Sequence, residues 1–189
     1  MADDEKLLAA LRDRDPTAFA DLFEQYADRI YRLAVGLLGD EQEADAVVQD
    51  TFLRLFERLD QFEGRSSLGT WLYRVAYNRS MDQLRRDRPV VSLEAVAEDP
   101  LPAPAILAAW ERLPEQQLSD EEVQRALEQA IASLPEHYRL IFLLREVEGL
   151  STVETAEVAG ISAGAAKVRL HRARLLLRER LAEQFAAPA

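Results

Sequence analysis

Cysteine is absent from the sequence, which excludes disulfides, thiolate metal centres and cysteine nucleophiles and suits a reducing compartment. Only two histidines occur, His137 and His171, and His171 has no ligand-type neighbour at metal spacing. Neither a metal site nor a cofactor is expected, and no glycine-rich phosphate loop is present. Carboxylates are plentiful, but none pairs with a histidine or a second acid in a catalytic motif. A hydrolase or nuclease reading therefore fares poorly, and no catalytic residue or enzyme activity is expected. No apolar run approaches the ~20 residues needed to span a bilayer. The opening Met1-Ala2-Asp3-Asp4-Glu5 lacks the basic start of a secretion signal. A soluble, cytoplasmic protein without membrane insertion is expected. Strand-like alternation is missing too, and no internal repeat or low-complexity tract appears.

What remains is charge and helical periodicity. A chain of 189 residues can hold one ordinary core or two small ones. Its net charge of -11 would ordinarily oppose nucleic acid, whose affinity comes from neutralising phosphates with Lys and Arg. The distribution reverses that. Residues 65–88 carry six Arg against two Asp, and residues 164–189 carry six Lys or Arg against two Glu. Two islands of +4 leave the remainder at -19. Basic islands in an acidic body suggest two nucleic-acid contacts and a body that discourages indiscriminate binding. Clustering alone fits solvated helix faces equally well.

Apolar residues recur at three and four throughout, so the fold class is all-α. The first clear helix opens at Asp15-Pro16, buries Phe19, Leu22, Phe23, Tyr26, Ile30, Leu33 and Leu37, and ends at Gly39. The second opens at Asp40, with Glu43 three residues on, and buries Ala44, Val47, Val48, Thr51, Phe52, Leu55, Phe56 and Leu59. A third runs from about Thr70 to Arg86. From Arg88 to Gln117 five prolines and the acids Glu94, Glu98 and Asp99 break the pattern. Within that stretch Ile106, Leu107 and Trp110 could form one short amphipathic turn. Ser119 with Glu122, Ser133 with Glu136, and Ser151 with Glu154 read as capping boxes, and a further helix starts at Ser162. The organisation predicted is two small helical bundles, residues 1–88 and 119–189, joined by an acidic, proline-containing linker at 89–118.

The sharpest local pattern is a short helix from Thr152 to Ala159, a turn at Gly160-Ile161-Ser162, and a longer basic helix from Ala163: a helix-turn-helix. Ala156 suits the tight crossing, and Gly160 a turn that needs positive φ. At about 100° per residue, Ala166, Leu170, Ala173, Leu177 and Leu181 share one side. Gly164, Val168, His171 and Arg172 lie opposite, with Lys167 and Arg169 on the shoulders, the face a recognition helix offers a major groove. The third helix sorts likewise. Leu72, Tyr73, Ala76, Tyr77, Ser80 and Leu84 cluster, leaving Trp71, Arg74, Asn78, Asp82 and Arg85 to stack on and hydrogen-bond unpaired bases. For Trp71, at the helix start, a buried structural role is an equal alternative.

These residues carry a family resemblance. Phe62-Glu63-Gly64-Arg65-Ser66-Ser67-Leu68-Gly69-Thr70-Trp71-Leu72-Tyr73-Arg74-Val75-Ala76-Tyr77-Asn78-Arg79 resembles region 2 of the extracytoplasmic-function (ECF) sigma factors. Ser133-Leu134-Pro135-Glu136-His137-Tyr138-Arg139, followed by Arg145-Glu146-Val147-Glu148-Gly149-Leu150-Ser151 and Arg169-Leu170-His171-Arg172-Ala173-Arg174, resembles region 4. The length leaves no room for the extra domains of primary sigma factors. The resemblance implies a transcription initiation factor that directs RNA polymerase core to promoters and aids their opening. It implies binding to the polymerase clamp helices through Asp45, Gln49, Asp50, Phe52 and Leu53, and to the flap. For the -10 element it implies the loop from Gln61 to Leu68, which captures a flipped base, with Ser66, Ser67, Thr70, Trp71, Arg74, Asn78, Arg79, Arg85 and Arg86. For the -35 element it implies Ser162, Gly164, Lys167, Val168, Arg169, His171 and Arg172. The linker would thread the polymerase near the RNA exit path, and an anti-sigma protein is an implied partner.

Two departures qualify the resemblance. Leu72 stands where primary sigma factors place a second aromatic, so opening of poor promoters should be less forgiving. Thr155, Ala165 and Ala166 replace larger or β-branched residues, which should weaken packing under the recognition helix by ~1 to 2 kcal/mol. The rival reading is a stand-alone helix-turn-helix regulator. It leaves the Asp45-Gln49-Asp50 surface and the basic stripe of the first bundle unexplained, and no dimerisation helix is evident.

Overall fold

Helix boundaries follow from local caps. The structure is a computed structural model that describes residues 2–64, 66–87 and 120–186. The N-terminal bundle contains α1 (Ala2–Arg12), α2 (Pro16–Leu38), α3 (Glu41–Arg58) and α4 (Leu68–Asp87), with a 3-10 turn at Leu59–Gln61. The C-terminal bundle contains α5 (Asp120–Ala132), α6 (Glu136–Phe142), a π turn at Leu143–Val147, α7 (Thr152–Ala159) and α8 (Ala163–Ala186). Every element among the described residues is helical, as the periodicity predicts. The linker, its Ile106-Leu107-Trp110 turn and the Ser119 cap lie outside the described residues.

The Asp15 side chain accepts a hydrogen bond from Thr17 N ahead of Pro16, and Gly39 closes α2 in the left-handed region at φ 73°. Asp40 accepts from Glu43 N to start α3. Ser151 and Glu154 form the complete reciprocal capping box on α7. Hydrogen bonds from the Ser151 side chain and backbone hold the Glu154 carboxyl below the usual carboxylate range. That contribution is fully present above the ordinary glutamate pKa and is lost as pH falls through the lowered one.

Ser133 does not cap α6 as its sequence suggests. Its hydroxyl turns back to donate to Ala130 O (2.7 Å), closing α5, and Pro135 occupies the cap position of α6. Two further expectations are corrected. Phe23 (49% exposed) and Phe56 (46% exposed) are not in the core, because no element among the described residues covers the outer edge of α2 and α3 there. Helix α1, which carries too little periodicity to stand out in the sequence, packs Leu11 wholly into the first bundle.

Among the described residues three apolar clusters hold the molecule. One lies inside the first bundle around Leu22, Ile30, Val47, Leu55 and Leu72. Another lies inside the second, around Leu134, Tyr138, Ala173 and Leu177. The third joins the two: Leu33, Leu37, Tyr73 and Met81 pack with Leu140, Leu143, Leu144, Leu150 and Val158. Each buried leucine stabilises its cluster by ~1.5 to 3 kcal/mol, so the shared cluster is substantial.

Beneath α8, Ala166 (1% exposed) and Thr155 (0%) are fully covered. Thr155 Oγ1 is buried without a hydrogen-bond partner among the described residues. A buried hydroxyl left unpaired costs roughly 1 to 3 kcal/mol, and an apolar group of the same shape removes that cost. Thr155→Val is therefore expected to stabilise the protein by about 1 kcal/mol in urea unfolding. An unchanged or lower midpoint would show the hydroxyl to be satisfied.

Candidate nucleic-acid interface

Helix α4 is the basic helix of the first bundle, and its start is fixed by Ser67. The Ser67 hydroxyl accepts from Thr70 N (3.1 Å) and pairs with Thr70 Oγ1 (2.8 Å), so α4 begins two residues before Thr70. Phe62 is anchored from α1, where Arg12 Nη2 donates to Phe62 O (2.8 Å), and it meets the Trp71 ring edge-on at 6.3 Å. Trp71 is half-buried against the core while lining a cavity of about 270 Å³ with Arg54, Arg58, Gln61, Phe62, Arg74 and Asn78. A smaller hollow of about 90 Å³ adjoins it, lined by Gln61, Glu63, Gly64, Ser66, Trp71 and Arg74. Trp71 is thus partly built into the core and partly open to the cavity. Three guanidinium groups, two amides and an indole around one opening can hold an unpaired base by stacking and edge hydrogen bonds, with its phosphate held by charge.

The other α4 residues separate. Asn78, Arg85 and Arg86 are exposed and Ser66 and Ser67 stand at the loop, whereas Thr70 is buried. Arg79 turns away to form an ion pair with Asp50 on α3, its side chain 19% exposed against 37% for Asp50. Leu72 is wholly buried and presents nothing to a base. Arg74 Nη1 lies 3.8 Å from Glu157 Oε1 on α7.

In the second bundle, Gly160 closes α7 at φ 66°, donating to Ala156 O and Glu157 O, and the turn needs this left-handed backbone. Ser162 accepts from Ala165 N (3.1 Å) to start α8. Ala166, Leu170, Ala173 and Leu177 are buried, as their shared side of the helix predicts. Opposite them Gly164, Lys167, Val168 and His171 are exposed, and Arg169 is half-buried. Arg172 is also half-buried, its Nη1 donating to Tyr138 Oη (3.3 Å). Between α6 and α8 lies a cavity of about 390 Å³ lined by His137, Tyr138, Ser162, Val168, Arg169 and Arg172. Tyr138 and His137 line this cavity too; the sequence places them in the region 4 motif but gives them no part in the recognition face. Among the described residues no group of acids and histidines could hold a metal ion.

A third surface runs along α3. Asp45 and Gln49 are exposed, Leu53 is 55% exposed, and Phe52 is half-buried against Phe23 at 4.7 Å. The exposed Phe56 continues the stripe, with Phe19 at 5.6 Å and the Arg14 guanidinium 4.5 Å above its ring.

Two sigma-70 models match the chain, region 2 over residues 22–90 and region 4 over residues 124–177. It is 33% identical to the ECF RNA polymerase sigma factor SigW of Bacillus subtilis, across 94% of this chain and 96% of that one. It is 35% identical to the ECF RNA polymerase sigma factor SigE of Mycolicibacterium smegmatis, across 89% of this chain and 63% of that one. Among solved structures, it superposes on the sigma factor RpoE of Bartonella quintana, in complex with the anti-sigma factor NepR, with a TM-score of 0.61. That pair shares 26% identity, covering 86% of this chain and 96% of RpoE. The fold and the two family matches together define a two-region initiation factor of the sigma-70 class. The chain belongs to the ECF sigma factor family. Matches in both halves, at full length, set the stand-alone regulator aside. No helix among the described residues is long and apolar enough to cross a membrane.

The Asp50–Arg79 ion pair ties the α3 surface to α4. A double-mutant cycle with Asp50→Ala and Arg79→Ala, read by urea unfolding, is expected to give a coupling of about 0.5 kcal/mol that shrinks in high salt. Strict additivity would mean the pair holds nothing in place.

Proposed function

We propose that this sigma factor brings RNA polymerase core to its promoters through three separate surfaces, each with its own chemistry. The cavity of about 270 Å³ beside Trp71 carries the reading. A pocket with three guanidinium groups and an aromatic wall suits a base that has left the stack, and capturing such bases favours strand opening without ATP. Asn78 and Trp71 act on the base, Arg54, Arg58 and Arg74 on the strand's phosphates, and Arg85 and Arg86 on the flanking backbone. Ser67, Thr70 and Arg79 position α4 and the loop before it.

On the duplex side, Lys167, Val168 and His171 are the side chains free to enter a major groove. Ser162, Gly164 and Arg169 lie where phosphates would run. Arg172 acts through Tyr138, orienting α8 from below. The α3 stripe of Asp45, Gln49, Phe52 and Leu53, extended by Phe23 and Phe56, meets the polymerase clamp helices. Asp50 holds this stripe in register with α4, and the second bundle meets the flap. An anti-sigma protein controls access to these surfaces, a reading supported by the similarity to RpoE, which was solved with NepR. The protein works in the cytoplasm as a binding subunit and contributes no catalytic group.

Mixed with core polymerase, the purified protein is expected to start transcription at a defined site on genomic DNA. Leu53→Asp should abolish core binding in a pull-down while circular dichroism stays unchanged; retained binding would remove α3 from the polymerase interface. Asn78→Ala should slow initiation about tenfold on closed duplex, in line with ~1 to 3 kcal/mol for one base contact, and much less on a pre-opened bubble. Equal losses on both templates would place Asn78 outside strand capture.

A further inference from the structure

Helix α1 precedes the residues matched by the region 2 model, which begin at 22, yet its last turn reaches the loop that frames the cavity beside Trp71. Leu11 is wholly buried in the first apolar cluster, with Leu7 and Leu8 packed against it, so the backbone there has a fixed seat. Arg14, at φ 56°, takes the left-handed backbone that side chains rarely adopt and turns the chain towards α2, so α1 ends at Arg12. A cation in the last turn of a helix ordinarily serves that helix's own terminal carbonyls. Arg12 reaches further: its Nη2 donates to Phe62 O, 50 residues away, at 2.8 Å. The carbonyl it holds lies at a sensitive point. Phe62 follows the 3-10 turn at Leu59–Gln61, its own N–H bonding Leu59 O (3.0 Å). Two residues on, Gly64 adopts φ 68° and the chain swings away. The Phe62 ring is buried, meets Trp71 edge-on and forms a wall of both hollows.

We propose that Arg12 is a positioning residue for strand capture, and that α1 is thereby part of the machinery that opens promoters. The inference rests on the cavity beside Trp71 being the site of the unpaired base. A base stacks and hydrogen-bonds only where the walls stand at a fixed separation, and Gln61, Phe62, Trp71 and Arg74 serve both hollows at once. The far wall is already rigid. Trp71, Arg74 and Asn78 sit on α4, whose backbone is set by the first cluster and by the Ser67 cap, and Arg54 and Arg58 sit on α3. The near wall is Gln61 and Phe62, on a turn and the loop after it, and surface backbone of this kind moves unless it is tied from outside. Arg12 supplies a tie. A guanidinium suits the task, being weakly hydrated and always charged, and a charge-assisted hydrogen bond is stronger than a neutral one. Arg12 itself stays exposed and lines neither hollow, so it acts through Phe62 rather than on the base. Its loss leaves the chemistry of the cavity intact and its shape unfixed.

Arg12→Ala removes the tie, while Arg12→Lys keeps a charged donor on a flexible stem, enough for a bond to one acceptor. The chain has only two tryptophans, so in a Trp110→Phe background the indole emission reports on Trp71 alone. In the full chain without DNA, Arg12→Ala is expected to shift that emission to longer wavelength and to raise its quenching by acrylamide, with Arg12→Lys returning both towards the parent. On closed promoter duplex, with the protein saturating core polymerase, Arg12→Ala should slow initiation about tenfold, the loss expected for one charged hydrogen bond, and Arg12→Lys should recover most of it. Combined with Asn78→Ala, the two losses should fall short of their product, since both act on the pose of one base. Unchanged Trp71 emission and quenching in Arg12→Ala overturn the positioning role. Losses that multiply in full, or a parental rate in Arg12→Ala, overturn the part of α1 in strand capture. Should Arg12→Ala lose helicity, Arg12→Met, which keeps the apolar stem and drops the donor, decides in its place. An Asn78→Ala protein as fast as the parent is a different failure: the cavity is then not the strand site, and the role of Arg12 in opening falls with it, whatever the emission shows.

Discussion

One buried carboxylate sets the relation between the two halves of this protein. Glu148 has no exposed side-chain surface, and two guanidinium groups and a phenol from the first bundle converge on it. A lone carboxylate in that position would be prohibitively costly, whereas Arg29 and Arg32, 33% and 51% exposed, keep their contact with solvent while they compensate it. Burial opposes the charge on Arg29, but its hydrogen bond to Glu148 and the nearby Tyr73 outweigh that and raise its pKa. The apolar cluster around Leu33, Leu143 and Val158 gives the contact its area, and the ion cluster gives it its register. Without Glu148 the same leucines could slide on one another, because dispersion has no direction.

The same economy explains how an acidic protein can present basic surfaces. With a net charge of -11, unpaired arginines would be drawn towards whichever acids lay nearest. Instead several are given fixed partners: Arg79 with Asp50, Arg174 Nη2 with Glu146 Oε1 (2.7 Å), Arg74 with Glu157. Exposed pairs of this kind contribute little stability. Their value is positional, since they leave Asn78, Arg85, Arg86, Lys167 and His171 to face outward while the acidic body repels nucleic acid elsewhere.

Much of the fold was legible because it is local. Asp15, Asp40, Ser151, Gly39 and Gly160 each act within four residues of their own position, and each does what its type and spacing predict. The buried side of α8 follows from periodicity alone. Ser133 misled because a hydroxyl can donate backwards as readily as it can accept forwards, and nothing in Ser-Leu-Pro-Glu decides between them. Phe23 and Phe56 misled for another reason: periodicity says which residues share a face, not whether anything covers it. Among the site residues, the exposed groups on α4 and α8 were readable. The turning of Arg79 to Asp50 and of Arg172 to Tyr138 was not, since each partner comes from a different helix. Glu148 is the extreme case. Its partners lie 75 to 119 residues away, and only the packing of the bundles brings them together.

Helix α4 is where these constraints meet, and its sequence shows how three demands fit on one cylinder. Leu72 and Ala76 fill the core of the first bundle. Tyr73, Met81 and the partly buried Tyr77 and Leu84 face the second bundle. Trp71, Arg74 and Asn78 line the cavity. With about 100° between successive residues, three stripes can share one helix only if their edges touch. Arg74 stands on such an edge, lining the cavity while reaching Glu157. Whatever pulls α7 from α4 therefore also frees the cavity's own guanidinium, so in this geometry the contact between the bundles and the cavity are coupled through a single side chain.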